Sequence, residues 1–373
     1  MMSDVLGVIN LGEKENSIRN LTKIRPLANI PFAGRYRIID FILSNMINSG
    51  IETISIVLKN KFHSLNDHIG PGKYWDLDKK TGGLKMLYPS LIDDNDCVTK
   101  GELCVIKDNL EYFRRTRKKH ILLTRSNYIG NIDFKPAYKY HLESDNDITI
   151  LTRKVIHGRN RVDLLGLDIV SRDGSKINIG RNLGNNDSFD LSIEMYLIKK
   201  EVFIEILTKA IESGGGKGIK EALISRILNY DVDVYKIEDD ILPIYSIAQY
   251  YNSSMKLLNP EYAKYLFYEH GKIYTKAKDA PSTIYKKGSS VTNSLVANSC
   301  IVEGIVENSI LFRDVRIKKG AIVRNSIIFE GTTIGEDTQI NYSIIEKDVN
   351  ISSGKVLMGD GGLPYFIEKG AQL

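Results

Sequence analysis

Cysteine is scarce in this chain of 373 residues: Cys97, Cys104 and Cys300 are odd in number and lack metal-ligand or disulfide-framework spacing. That points away from a disulfide-stapled fold and towards a reducing cytoplasm. No apolar run approaches the ~20 residues needed to cross a bilayer, and no basic stretch leads into a long apolar one at the start. Neither a membrane span nor a secretory signal is expected. Charge of one sign is lacking as well, since 51 basic residues face 46 acidic ones and leave a net +5. Such mild, mixed basicity suits a solvated surface better than a nucleic-acid footprint. Low-complexity tracts that would signal disorder are absent.

What is present is a period of six. Ile305, Leu311 and Ile317, then Ile322, Ile328, Ile334 and Ile340, then Ile345, Ile351 and Leu357 each follow the last by six residues, with the register slipping by one between runs. That spacing fits neither a helix at 3.6 nor a strand at 2.0 and places one inward residue on each short strand of a stacked solenoid. Asn-Ser pairs at Asn293, Asn308 and Asn325, continued by Tyr342-Ser343, mark one corner that returns after 15 to 17 residues, about three hexapeptides per coil. The pattern is that of a left-handed parallel β-helix. Such coils also serve CoA-dependent acyltransferases, which use a histidine in or beside the β-helix as general base. No histidine follows His270, which removes that reading.

Ahead of the coils, apolar β-rich runs alternate with amphipathic stretches, the signature of a mostly parallel sheet covered by helices. Strands are expected at Val5 to Leu11, Ile51 to Leu58, Ile121 to Thr124, Ile148 to Val155, Leu191 to Ile198 and Val232 to Ile237. A helix with Ile38, Ile39, Ile42, Leu43, Met46 and Ile47 on one face ends at Ser49-Gly50, and another covers Ile247 to Leu258 before Asn259-Pro260. The expected division is an α/β domain over 1–258, a linker over 259–281 and the β-helix over 282–373. Gly214-Gly-Gly-Lys-Gly218 looks like a phosphate loop but follows a helix and lacks the Lys-Ser/Thr ending, so it reads as a connector.

The order of these parts, with Pro31-Phe-Ala-Gly-Arg-Tyr-Arg-Ile-Ile-Asp-Phe-Ile-Leu-Ser-Asn-Met-Ile-Asn-Ser-Gly50, resembles the ADP-glucose pyrophosphorylases (glucose-1-phosphate adenylyltransferases). Ser64-Leu-Asn-Asp-His-Ile-Gly-Pro-Gly-Lys-Tyr-Trp-Asp-Leu-Asp78 and Asn293-Ser-Leu-Val-Ala-Asn-Ser-Cys-Ile-Val-Glu-Gly304 are similar to further blocks of that family. The resemblance implies a Rossmann-like nucleotidyltransferase (GT-A-like) domain before the β-helix. It implies transfer of the adenylyl group of ATP to glucose 1-phosphate, with a Gly-rich loop cradling the triphosphate and two aspartates holding Mg²⁺.

The residues needed for that chemistry have gone. Where the family has Gly-Gly-x-Gly-Thr-Arg-Leu, the first strand leads into Asn10-Leu-Gly-Glu-Lys-Glu-Asn16, whose Glu13 and Glu15 would repel a triphosphate. Against the family pattern, Asn127 and Pro243 stand where the metal-binding aspartates belong and Leu27 where a lysine belongs. Gly101 survives but is followed by Glu102-Leu-Cys104, and no Glu-Lys-Pro motif occurs around Asn178 to Leu183. The expected cofactor set is therefore empty, with no productive Mg²⁺. The pattern resembles the family's GlgD-type regulatory subunits, implying a hetero-oligomer, a tetramer, with a catalytic homologue. The alternative is an active sugar-1-phosphate nucleotidyltransferase with an atypical site.

Asp40, which opens a helix, reads as a cap. His63 and His68 read as surface hydrogen-bonding groups, and Tyr74, Trp75 and Tyr88 as packing rather than base stacking. Arg25, Arg35 and Arg37 stand in a segment whose basic residues bind anionic effectors in relatives. With Arg313, Arg316 and Arg324 of the early coils they form a candidate site for a phosphorylated sugar.

Overall fold

The computed structural model describes residues 2–13, 15–89, 101–174, 176–213 and 218–373. Cys97 and all of the Gly214–Gly218 run except Gly218 lie outside the described residues. The chain forms two compact units, one of residues 1–13, 41–243 and 270–274, the other of 14–40, 244–269 and 275–373.

The first unit is built on a sheet of nine strands among the described residues. Its centre is Val5–Asn10, which pairs in parallel with Thr53–Val57 on one side and His120–Arg125 on the other. All six residues of this central strand are buried, as a strand covered on both faces must be. All six expected strands form. The sheet is more mixed than expected, because Phe189–Lys199 runs antiparallel to both His120–Arg125 and Ile148–Val155. Gly83–Leu87 and the edge hairpin Asp168–Asp173 with Lys176–Arg181 were not expected, since polar residues interrupt their apolar signal. Leu6, Val8, Ile121 and Leu123 of the sheet pack with Phe113 and Phe203 of covering helices, the two rings meeting edge to face at 5.5 Å.

The helix Ile38–Asn48 starts as the sequence implies: Asp40 accepts the Arg37 backbone N–H at 2.9 Å, the cap expected of it. The helix Ile247–Met255 also forms, extended by one 3-10 turn to Leu258. Asn259-Pro260 then begins a helix as well as ending one. The Asn259 side chain accepts from Glu261 N–H (2.9 Å) and Tyr262 N–H (3.1 Å), so Pro260–Tyr268 is helical within the stretch read as linker.

In the second unit, three five-stranded parallel sheets stack the coils from Ile284 to Ile367. Together with the hexapeptide period they form the expected left-handed β-helix. The inward residues Val306, Leu311, Ile317, Val323, Ile328, Ile334, Ile340, Ile345 and Ile351 advance by 5, 6 and 6 around each coil. Ile305 and Ile322, expected to point inward, lie outside this core and stay partly exposed beside Val306 and Val323. The short step of five falls at the Asn-Ser corner, so the register slips there and not before it. Asn293, Asn308, Asn325 and Tyr342 adopt φ of 42 to 48°, a left-handed conformation asparagine tolerates. Each corner serine accepts the backbone N–H of the next coil's serine, Ser309 to Ser326 and Ser326 to Ser343 at 3.1 Å.

Segment 14–40, expected in the first domain, belongs to the β-helical unit. Tyr250 donates to the Pro31 carbonyl and Tyr251 to that of Asn325, each at 2.6 Å, and Tyr36 stacks on Phe267 at 4.8 Å. Among the described residues no helix is long and apolar enough to cross a membrane. Cys300 is free and buried.

One buried titratable group sets a pH dependence. His141, on the helix Lys135–Glu143, lies 2.8 Å from Thr149 Oγ1 and 3.2 Å from His120 Nδ1. Burial, then His120 and Lys199, depress its imidazole to about 4. The unfolded chain takes up the proton first, so this contribution is whole above pH 6.5 and lost as pH falls towards 4. Chemical denaturation should show a loss of about 2 kcal/mol between pH 7 and 5. His141→Gln should flatten that slope; an unchanged slope would show that His141 does not cause it.

Candidate functional site

Asn10 and Arg125 are the last residues of two neighbouring parallel strands and stand in register. Ligands of open parallel sheets gather beyond such carboxyl ends. Beyond Asn10 the loop turns its acidic groups onto protein donors. Glu13 accepts the Ser126 N–H at 2.8 Å and the Ser126 hydroxyl at 2.7 Å, and burial raises its pKa against the pull of Arg125. Glu15, in the other unit, accepts the N–H of buried Leu27 at 3.0 Å. The two carboxylates expected to repel a triphosphate thus fasten the backbone.

Asn127 is fully buried, and neither atom of its amide has a hydrogen-bond partner. Its neighbour Tyr128 pairs with Pro243 in a two-stranded ladder, Tyr128–Ile129 against Leu242–Pro243. The two positions to which the resemblance assigned metal ligands thus lie near one another, as an amide and a proline ring. Neither offers the anionic oxygen Mg²⁺ needs, and no group of three or more His, Cys, Asp or Glu among the described residues is arranged to hold a metal. The residues present do not fit the ion. Asn178 to Arg181 lie on the edge hairpin, whose Arg181 pairs with Asp168 at 3.3 Å.

The arginines divide. Arg35, Arg37 and Arg313 line one small pocket of about 20 Å³ with Lys347 and a single acidic residue, Glu330. Glu330 already accepts Lys278 Nζ at 2.5 Å and Lys347 Nζ at 2.8 Å; burial pushes its carboxyl up, but these two lysines bring it down to about 2. Burial and then Arg25 lower the Arg37 guanidinium, and burial and then Arg37 lower Lys347. Positive charge in this cavity is thus only partly compensated. Arg35 also donates to the Tyr36 hydroxyl at 2.9 Å.

Arg25 does not line the cavity. Both oxygens of Glu346 accept from its Nη2, at 2.6 and 2.8 Å, and both side chains are buried. Arg316 and Arg324 lie elsewhere on the coils, exposed, beside Asp314 at 3.8 Å and Glu307 at 2.7 Å. Lys347 and Glu330 were missed because they sit one coil apart and nothing local in sequence marks their convergence. Trp75 is buried, its ring edge-on to His68 at 5.9 Å, while Tyr88 accepts from Asn66 at 2.9 Å. Packing accounts for the former and a surface hydrogen bond for the latter.

Removing one partner of a buried pair strands the other charge, which costs about 3–5 kcal/mol. Arg25→Ala and Glu346→Ala should each lower unfolding free energy by about that much. The double variant should lose clearly less than the two together. Strict additivity in denaturant titrations would show that the pair is not coupled.

Comparisons with known proteins agree with this layout. A nucleotidyl transferase family model matches residues 12–161, and a GlmU-like C-terminal hexapeptide model matches 278–360. The chain is 34% identical over 368 residues to the glycogen biosynthesis protein GlgD of Bacillus subtilis, covering 99% of this chain and 96% of the relative. It is 34% identical over 328 residues to GlgD of Geobacillus stearothermophilus, covering 87% and 84%. Against a glucose-1-phosphate adenylyltransferase of Thermomicrobium roseum the identity is 30% over 367 residues, covering 91% and 84%.

Proposed function

We propose, from the premise that the chain belongs to the ADP-glucose pyrophosphorylase family and is GlgD-like, that it is a non-catalytic regulatory or scaffolding subunit of glucose-1-phosphate adenylyltransferase. Its place is glycogen biosynthesis in the cytoplasm, in a heterotetramer with a catalytic homologue. The observation that carries this reading is the amide of Asn127, next in the chain to the Tyr128 that pairs with Pro243, at positions to which the family resemblance assigns metal-binding carboxylates. No Mg²⁺ ion is bound productively there, and charge developing on the phosphates goes unmatched. Metal-supported stabilisation is worth several kcal/mol, and about 1.4 kcal/mol is a tenfold change in rate.

The isolated chain should release no pyrophosphate above background from ATP and glucose 1-phosphate, and Asn127→Asp alone should not restore turnover. Robust activity in either protein would return the chain to the active enzymes. Mixed with a catalytic homologue, it should co-elute by sizing and alter that homologue's kinetics; separate elution with unchanged kinetics would count decisively against a regulatory subunit.

The effector is an anion, a phosphorylated sugar, held by Arg35, Arg37 and Arg313 in the cavity they share with Lys347. A sugar phosphate should raise the melting temperature of the native chain by binding the folded state. Arg37→Ala and Arg313→Ala should each abolish the shift. Equal shifts in native and variant proteins would remove this site.

A further inference from the structure

The carboxyl end of the central strands holds a set of charges that the degenerate-site reading does not use. Glu102, the first residue of the helix Glu102–Asp108, accepts the Asn10 amide at 2.7 Å and the Ile219 backbone N–H at 3.2 Å. Its carboxylate lies against the bare face of Gly12: a Cβ built there would fall 1.5 Å from Glu102 Oε1. Arg125 Nη1 faces the same carboxylate at 4.0 Å while its Nε donates to Glu194 Oε2 at 2.7 Å. Lys220 bridges Glu194 and Asp168, 2.5 Å from each.

Two features mark this as a built arrangement. Glu194 takes φ of +53° at an irregularity between Ser192 and Met195, a backbone conformation that side chains beyond asparagine and aspartate seldom adopt. The charges also interlock: Glu102, Glu194 and Asp168 meet Arg125, Lys220 and the outer Arg181, and buried Glu13 is drawn to Arg125 as well. A phosphate at a strand end needs what Glu102 already has: backbone and amide donors, a glycine without a side chain, and a facing cation.

We propose that the Glu102 carboxylate is a built-in occupant of the phosphate position, holding the donors, the Gly12 face and the facing Arg125 that a nucleotide's phosphates would use. The native chain thereby excludes triphosphates from the strand ends by an intramolecular contact and not only through lost metal ligands. This rests on reading the crevice as a former nucleotide site, yet the two ideas fail separately. Turnover by the native chain sinks the regulatory reading, whereas triphosphate binding without turnover sinks only the occlusion.

The test compares the full chain carrying Glu102, Glu102→Ala or Glu102→Ser, all in an Arg37→Ala/Arg313→Ala background so that the other cationic cavity does not contribute. Metal-free inorganic tripolyphosphate is the probe, followed by calorimetry and thermal shift at fixed salt, with ATP as competitor. The parent should show no saturable binding. Glu102→Ala should bind at least about tenfold more tightly, weaken with salt, and lose the gain when Arg125→Gln is added. If Glu102→Ala does not fold, Glu102→Ser decides, because its short side chain keeps a polar group yet withdraws from the Asn10 and Ile219 donors and the Gly12 face. Tripolyphosphate bound equally by the parent, or a cooperatively melting variant that gains nothing, would overturn the proposal.

Discussion

A buried ion pair between residues 321 positions apart, Arg25 and Glu346, ties the segment 14–40 to the coils. In a low-dielectric interior each partner is costly alone, so the two are held together far more firmly than a surface pair would be. Much else in the β-helical unit follows from that anchor. Arg35 and Arg37, a few residues further on, are placed beside Arg313 and Lys347. The turn they leave is held by Tyr250 at the Pro31 carbonyl and by Tyr36 against Phe267. One arginine of the segment is thus neutralised inside the protein, and two others are presented beside an incompletely compensated cavity.

Most of the fold was legible because it is periodic. The apolar residues at six-residue spacing and the returning Asn-Ser corner are local signals, and coils, corner and strands followed them. Where the reading slipped, the cause was also local: Ile305 and Ile322 satisfy a strict six, but the tight corner takes only five, which turns Val306 and Val323 inward instead. The partition of the chain was less legible. Composition changes near residue 259, yet segment 14–40 joins the later unit through contacts with residues hundreds of positions away. Long-range pairing of that kind leaves no periodic trace.

The candidate sites divide along the same line. Absence reads well from sequence, because an amide or a proline cannot supply an anionic oxygen in any conformation; Pro243 faces Tyr128, the residue after Asn127, across one ladder. The engagement of charged side chains reads poorly. Glu13 and Glu15 read as a pair that would repel a triphosphate, but each accepts hydrogen bonds from protein donors. Arg25 looked like a ligand and is a structural anchor. Residue type states what a group can bind; only the fold states whether something already binds it.

That distinction separates the two charged regions of the chain. At the strand ends, carboxylates and cations close on one another, and an incoming phosphate chain would have to displace Glu102 from donors already in place. Around Arg37 and Arg313, four basic side chains share the cavity with one carboxylate, and that carboxylate is also held by Lys278. Burial makes such an imbalance more costly than it would be in water. Burial first, and then a neighbouring cation, lowers Arg37, Arg313 and Lys347 from their ordinary values. A bound anion would relieve that cost in the second region, whereas in the first the protein's own acids already face the cations.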